Sequence, residues 1–508
     1  MERGQLGRSE SPAQRLTTKV TKIESAKGTK QFRFVSCSLF FHFVFFVVAF
    51  AGAQPVVTGT ISNTTRVESW SYFRPYIDPL ALTQAPIGDP EYTFFGDRAE
   101  LGVRVNGPRF ELGGAFNYVR LENLPTNAIG PGGLGTGAFY FAATGVSYSY
   151  QLYLGELTLK TKFSNGTSLT VGRMPFSSGG EVTSGSFSLQ RLRTERLESR
   201  LIGNFEWSYY QRRFDGARVD VDRPHWHFNL SAFVPTQGGF EESTNLSMPK
   251  VQVGATSFTW KSSNVEWQGF GYLYRDRRSE AAVVDNSSSL DRPVDVTIAT
   301  IGGSYARVLS RDSGEFDLVA WMAGQAGDWY GRPHRAASVA LEAGHRWRHA
   351  PYRPWVRAGY LWASGDRNHE DDRHGTFFQM IPSSRKYALS SVYAHMNLSD
   401  VFTQLVVEPP RFKARIEVHA LQLASGQDLW YQGSGATASK GRYFGFSGRS
   451  AGGQRSLGTV IEGAVEVPIK KYWSLNAYAA TMSAGDAVEH MFTSKRLTFW
   501  SIENVIRF

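Results

Sequence analysis

The sequence predicts an all-β chain: a single transmembrane antiparallel β-barrel of about 18 strands, with long extracellular loops and short periplasmic turns. Three observations predict it. Apolar and polar residues alternate with a period of two along almost the whole chain after residue 54. The connections between these segments alternate long and short. The chain ends in an amphipathic strand whose last residue is Phe508. Composition agrees, since 51 Gly, 13 Trp, 22 Tyr and 35 Phe among 508 residues, 20% of them charged, describe aromatic-rich strands joined by Gly-rich turns. A helical membrane protein would instead need several runs of about 20 apolar residues.

Residues 1–53 read as a signal peptide. Lys19, Lys22, Lys27, Lys30 and four arginines precede the apolar run Phe34 to Ala51, and Ala51-Gly52-Ala53 supplies the small residues a signal peptidase reads, so cleavage is expected before Gln54. A lone transmembrane anchor is the competing reading of the same run. The segment holds the only cysteine, Cys37, so residues 54–508 form the barrel without disulfides. It also carries eight Lys and Arg against three Glu, half of the net charge of +10.

Strands are expected near 66–77, 91–105, 108–121, 145–163, 166–173, 203–220, 224–234, 249–262, 265–275, 294–309, 314–324, 335–347, 354–364, 398–408, 411–422, 458–468, 472–484 and 496–508. Asn106-Gly107, Ser164-Asn165, Pro409-Pro410 and Lys470-Lys471 are turn-formers, whereas 122–144, 174–202, 235–248 and 423–457 are long and rich in Gly, Ser and charge. Long loops confined to one rim are the signature of an even-stranded outer-membrane barrel. No stable helix or linker divides the chain. In the last strand Trp500, Ile502, Ile506 and Phe508 share one face and Ser501, Glu503 and Arg507 the other. A strand ending this way resembles the signal read by the outer-membrane barrel assembly machinery. Trp70, Tyr72, Trp226, Trp260, Trp355, Trp362, Trp473 and Trp500 are expected to form the two interfacial girdles.

Assigning each apolar face to lipid sends Arg98, Arg104, Arg357, Lys413 and Arg415 into the lumen, mixed with Glu100, Glu111, Glu342, Glu417, Glu462 and Glu466. A charge on the lipid face would cost about 2–4 kcal/mol near the midplane. Two readings stay open: ladders of cross-strand ion pairs, and a basic track for an anionic solute. The loop Phe187 to Arg200 places Arg191, Arg193, Arg196 and Arg200 within ten residues, ahead of Arg212 and Arg213. Folded inward, it would build a constriction of dense positive potential; solvated outside, it would bind lipopolysaccharide phosphates.

Gly172-Arg173-Met174, Glu198 through Gly203, Trp207, Arg212-Arg213 and Phe214-Asp215-Gly216 resemble the central signature of the alginate export family of outer-membrane porins. Gly359 through Asp366 and Gly375-Thr376-Phe377-Phe378 are similar to its second block. The resemblance implies a monomeric barrel in the bacterial outer membrane that passes a polyuronate or related carboxylated solute by diffusion. Arg173, Asp215 and the arginines above would contact it. It implies outer-membrane lipid, lipopolysaccharide and periplasmic export components as partners, and no nucleic acid. The run after Asp366, Arg-Asn-His-Glu-Asp-Asp-Arg-His, departs from the family toward acidity.

No enzyme, cofactor or resident metal is expected. Gly448-Arg449-Ser450-Ala451-Gly452 fits G-x-S-x-G but lies in a Gly-rich loop rather than a strand-to-helix elbow. His225 and His227 share a strand face, where structural packing competes with a metal site, and the acidic run 370–372 offers a loop calcium site. The alternatives are a porin for another solute, or a barrel hydrolase built on Ser450, His369 and Asp366.

Overall fold

The computed structural model describes residues 55–74, 91–126, 136–240, 246–279, 293–383, 393–436 and 445–508. The expected signal peptide and Cys37 lie outside them. The strands are β1 (Val56–Ser71), β2 (Glu91–Asn106), β3 (Phe110–Glu122), β4 (Ser149–Lys162), β5 (Thr167–Met174), β6 (Phe214–Asp222), β7 (Trp226–Pro235), β8 (Val251–Lys261), β9 (Val265–Asp276) and β10 (Val296–Arg311). They continue as β11 (Gly314–Trp329), β12 (Arg332–Arg346), β13 (Trp355–Ala363), β14 (Leu398–Val407), β15 (Lys413–Leu423), β16 (Leu429–Ala436), β17 (Gly445–Ser450), β18 (Ser456–Lys470), β19 (Trp473–Ala484) and β20 (Arg496–Arg507).

Eighteen of these form one closed antiparallel sheet, and β16 and β17 form a separate hairpin. Each wall strand pairs with its neighbours in sequence, and β1 closes the barrel on β20 from Ser62↔Arg507 to Ser71↔Thr498. Closure removes the sheet edges, the condition for a sheet to stand in lipid. The outward face is apolar: Leu101, Leu230, Leu273, Ile301, Met322, Leu341, Val401 and Ile502 are all more than half exposed or at the half mark. In water such a surface would be an aggregation hazard; against lipid it is the required outside.

All eighteen expected wall segments are strands, with three displacements. The first begins at Val56 rather than near 66. The sixth begins at Phe214 rather than at 203, because Phe205 and Gln211 take left-handed φ values of 58° and 54° and turn the chain off the wall. The expected long loop between β11 and β12 is a two-residue turn. Tyr330 and Gly331 both have positive φ, 54° and 84°, as a type I′ hairpin requires, and the Gly331 N–H donates to Asp328 Oδ1 at 3.1 Å.

The described parts of the remaining long connections fold into the lumen, where the buried core lies. Contrary to the expectation of no stable helix, they contain short helices at Thr136–Thr144, Phe187–Leu192 and Asp486–Met491. Phe139 stacks on Phe240 at 4.8 Å, and Tyr140 meets Phe240 at 4.9 Å and Tyr209 at 5.7 Å, so rings from three loops form one cluster. Loop aromatics thus absorb part of the Trp and Tyr excess assigned to girdles. Trp260 and Trp500, each 43% exposed, face outward as expected, whereas Trp70, Tyr72 and Trp355 are 3–4% exposed inside the barrel.

Candidate functional site

The connection from β5 to β6, residues 175–213, crosses the depth of the lumen. Ser186 caps its helix by accepting the Leu189 N–H. At the far rim the Ser188 hydroxyl reaches Glu315 at 2.8 Å and Arg191 reaches Glu408 at 2.8 Å, both beside short turns. The helix then widens into a π turn, Arg193–Leu197, closed by the Glu198 N–H donating to the Arg193 carbonyl. Leu189, Leu192, Leu197, Leu201 and Ile202 bury the apolar side of this segment.

Its arginines turn onto the β9–β13 wall and bury there. Glu342 is the hub: Arg196 Nε lies 2.6 Å from one oxygen, Arg200 Nη2 2.9 Å from the other, and Arg357 Nη1 3.2 Å away. Arg357 also pairs with Asp317 at 2.5 Å, to which Trp355 Nε1 donates at 2.8 Å. Arg193 pairs with Glu266 at 2.6 Å and donates to the Gly179 carbonyl at 2.6 Å. Burial lowers the Arg196 guanidinium, but Glu342, Glu417 and Glu195 more than offset it and hold it protonated. Buried charges persist only with such partners.

Arg212 is held differently. Its guanidinium donates to the carbonyls of Gly203 (2.7 Å), Gly435 (2.7 Å), Pro382 (2.9 Å) and Ile381, tying three inward loops together. Burial, with no carboxylate in contact, pulls its pKa down to about 9, so it stays charged at neutral pH.

At the short-turn rim Arg191 stacks over Trp355 at 4.2 Å and pairs with Glu195 at 3.1 Å, and Lys413 reaches the same carboxylate at 3.1 Å. Burial pushes the Glu195 carboxyl up, but Arg191 and Lys413 outweigh it and hold it below the usual range.

Stapled to one wall, the loop leaves a cavity of about 480 Å³ against β1, β2, β15 and β18–β20. Arg66, Arg98, Lys413, Arg415 and Arg507 line it against Glu206, Glu466 and Glu503, with the rings of Trp207, Tyr209 and Tyr478 between. Arg98 donates to the Glu206 and Ser208 carbonyls at 3.1 and 2.9 Å, and Arg66 to Tyr209 Oη at 3.2 Å.

The structure therefore divides the expected pore-lining set. Arg98, Lys413 and Arg415 line the cavity. Arg193, Arg196, Arg200, Arg212 and Arg357 do not: each is at most 4% exposed, because inward folding brings them to wall carboxylates or loop carbonyls before any solute. Arg104 pairs with Glu111 at 2.7 Å and Glu156 at 3.2 Å, and Arg173 grips Asp215 with two 2.7 Å bonds across β5 and β6. Arg507 and Tyr478 share the inward face that strand alternation gives; Arg66 lies on the same face of β1 as Trp70, which the girdle assignment put toward lipid, and Trp207 and Tyr209 sit in the expected sixth strand where the chain leaves the wall.

The catalytic-looking positions do not assemble. Ser450 ends β17 and accepts the Gly452 N–H at 3.3 Å, while His369 stands exposed in another loop. His227 turns inward to Asp220 at 3.3 Å, and His225 is exposed in the preceding turn.

His374, in the loop after β13, meets His334 with an Nδ1–Nδ1 distance of 2.7 Å and stacks on Trp329 at 4.2 Å. Burial, then Arg332, lowers its pKa to about 3. Because the folded value lies below the ordinary 6.5, the docked loop loses stability as pH falls from about 6.5 toward 3. Asp428, raised to about 6 by burial, acts oppositely, but its shift is smaller. Protease susceptibility of residues 364–383 is expected to rise between pH 7 and pH 4, and His374→Gln to flatten that rise. An equal rise in the variant would remove His374 from the account.

Among curated proteins, none matches the sequence. Among solved structures, the chain is similar to Acinetobacter baumannii OccAB1 (TM-score 0.55, 9% identity, 89% of this chain and 96% of that one). It is similar also to Pseudomonas aeruginosa OccK9 (OpdG) (0.53, 9%, 89% and 98%) and OccK11 (OpdR) (0.52, 9%, 89% and 96%). At such identities the likeness concerns the barrel fold alone. A family model described as alginate export matches residues 167–498, which take in the inward loop, the Glu342 hub and most of the wall. The chain belongs to the alginate export family.

Proposed function

We propose that this protein is an outer-membrane channel through which an anionic polysaccharide of the polyuronate type diffuses. The cavity beside the stapled loop carries the reading: five cationic side chains face three carboxylates there, with three aromatic rings among them. Guanidinium forks suit carboxylates, and the rings offer flat apolar surfaces to sugar faces. Each wet ion contact is worth about 0.5–1 kcal/mol, enough to select and weak enough to release. The family membership and the barrel support the outer-membrane placement, with the long loops outside and the short turns in the periplasm. Lipopolysaccharide, the barrel assembly machinery and periplasmic export components are the partners this placement calls for.

The test is charge reversal. Arg98→Glu with Arg415→Glu removes two contacts, so block by mannuronate oligomers in planar bilayers should weaken about five- to thirty-fold and anion selectivity should be lost. Unchanged block would contradict the assignment. Glu206, Glu466 and Glu503 favour a second reading, a porin for neutral or zwitterionic saccharides. Equal block by neutral oligosaccharides would support that reading instead.

A further inference from the structure

On the lumen face of β14, β15 and β18, strand register brings together four ionisable side chains from three strands. Glu417 stands directly opposite Glu462 across β15 and β18, and opposite Gln404 across β14 and β15. His419 follows on the same face, and ligand atoms of Glu417, His419 and Glu462 all lie within 4.8 Å of one another. All three residues are buried, as is Asp400. Like charges directly opposite on neighbouring strands repel, and burial sharpens the cost.

The histidine shows how the repulsion is resolved. Its Nδ1 lies 3.0 Å from Asp400 Oδ2, a contact that fixes Nδ1 as the protonated nitrogen, and its Nε2 faces Glu417 at 3.4 Å. A lone pair aimed at a carboxylate requires a proton or a cation between them. A carboxylate behind the distal nitrogen is the arrangement that orients metal-binding histidines. A second, independent feature points the same way. Gln404, buried, sends its Nε2 to Glu417, and its amide oxygen has no hydrogen-bond partner among the described residues. It is a spare neutral oxygen at the edge of the cluster. Three carboxylates, Asp400, Glu417 and Glu462, converge on the one imidazole, with Arg415 3.4 Å from Glu417, so the cluster offers a cation more oxygen donors than the histidine alone can serve.

We propose that Glu417, His419 and Glu462 bind a divalent transition-metal ion of the zinc class, with Asp400 orienting the imidazole and Gln404 or water completing the shell. One imidazole with two carboxylates suits zinc. Ligand atoms around tetrahedral zinc lie about 3.4 Å apart, so the carboxylates close slightly on binding. Tyr478 already orients Glu462 by donating its hydroxyl at 2.8 Å. The ion cross-links β15 and β18, wall neighbours separated in sequence by the loop that carries the β16–β17 hairpin. It clamps the two strands near their middles, below the point where that loop leaves and returns.

The test uses the whole barrel in detergent, stripped with chelator and titrated with zinc chloride by calorimetry, with bound metal counted by elemental analysis. One zinc per chain is expected, together with a raised thermal midpoint. Glu462→Gln and His419→Ala should each weaken binding at least about tenfold, while a surface control, His349→Ala, keeps it. Absence of stoichiometric zinc on the wild-type chain overturns the proposal, whichever variants fold. So does zinc binding unchanged in both Glu462→Gln and His419→Ala, which would assign the metal to adventitious surface histidines.

Discussion

Replacing Glu342 with Ala is expected to release the constriction loop and widen the pore. Arg196, Arg200 and Arg357 share this one carboxylate in a buried site, and Asp317 compensates only Arg357. Removing one partner from a buried ion network costs about 3–5 kcal/mol, because the remaining charges stay desolvated. The barrel wall, held by its strand ladder, does not depend on this carboxylate; loop docking does. The expected results are a several-fold rise in single-channel conductance and new trypsin cleavage after Arg193, Arg196 or Arg200, with barrel heat-resistance retained. Glu342→Gln keeps the shape without the charge and should fall between. Conductance and cleavage like the parent's would mean that apolar packing of Leu189, Leu192 and Leu197 holds the loop unaided.

Arg212→Ala should have a comparable effect over a wider region. Its guanidinium serves carbonyls at Gly203, Ile381, Pro382 and Gly435, so its loss leaves acceptors unpaired in three loops at once. Each buried unpaired acceptor costs about 1–3 kcal/mol, reduced where water enters, and a total of about 3–5 kcal/mol is expected. Limited proteolysis should then cut within 175–213, 364–383 and 424–436 together rather than in one of them. Arg212→Lys should not rescue, since a single ammonium cannot span the acceptors that a planar fork reaches. Rescue by Lys would show that charge, not geometry, matters at this position.

Why the walls were legible and the lumen was not follows from range. A strand's face is set by a period of two that each residue carries locally, so Arg98, Arg357, Glu342 and Glu417 could be sent inward from sequence. What each meets there depends on a loop's path. Residues 203–213 look strand-like in composition, yet the left-handed turns at Phe205 and Gln211 take them off the wall. The arginine cluster between 191 and 200 fits both an inward constriction and a solvated outer loop, and its neutralisation by Glu266 and Glu342 rests on contacts across 73 to 146 residues. Trp355 has the composition of a girdle residue and the position of a platform for Arg191. The β16–β17 hairpin lies in a Gly-rich stretch whose alternation is too short to stand out.

In the proposed function the lumen, narrowed by a loop stapled to one wall, keeps a basic track that carries an anionic saccharide. The most direct test is the reversal potential of the wild-type protein in planar bilayers under a potassium chloride gradient, followed by addition of mannuronate oligomers. Anion selectivity with concentration-dependent block is the predicted result. Cation selectivity with no block would contradict it.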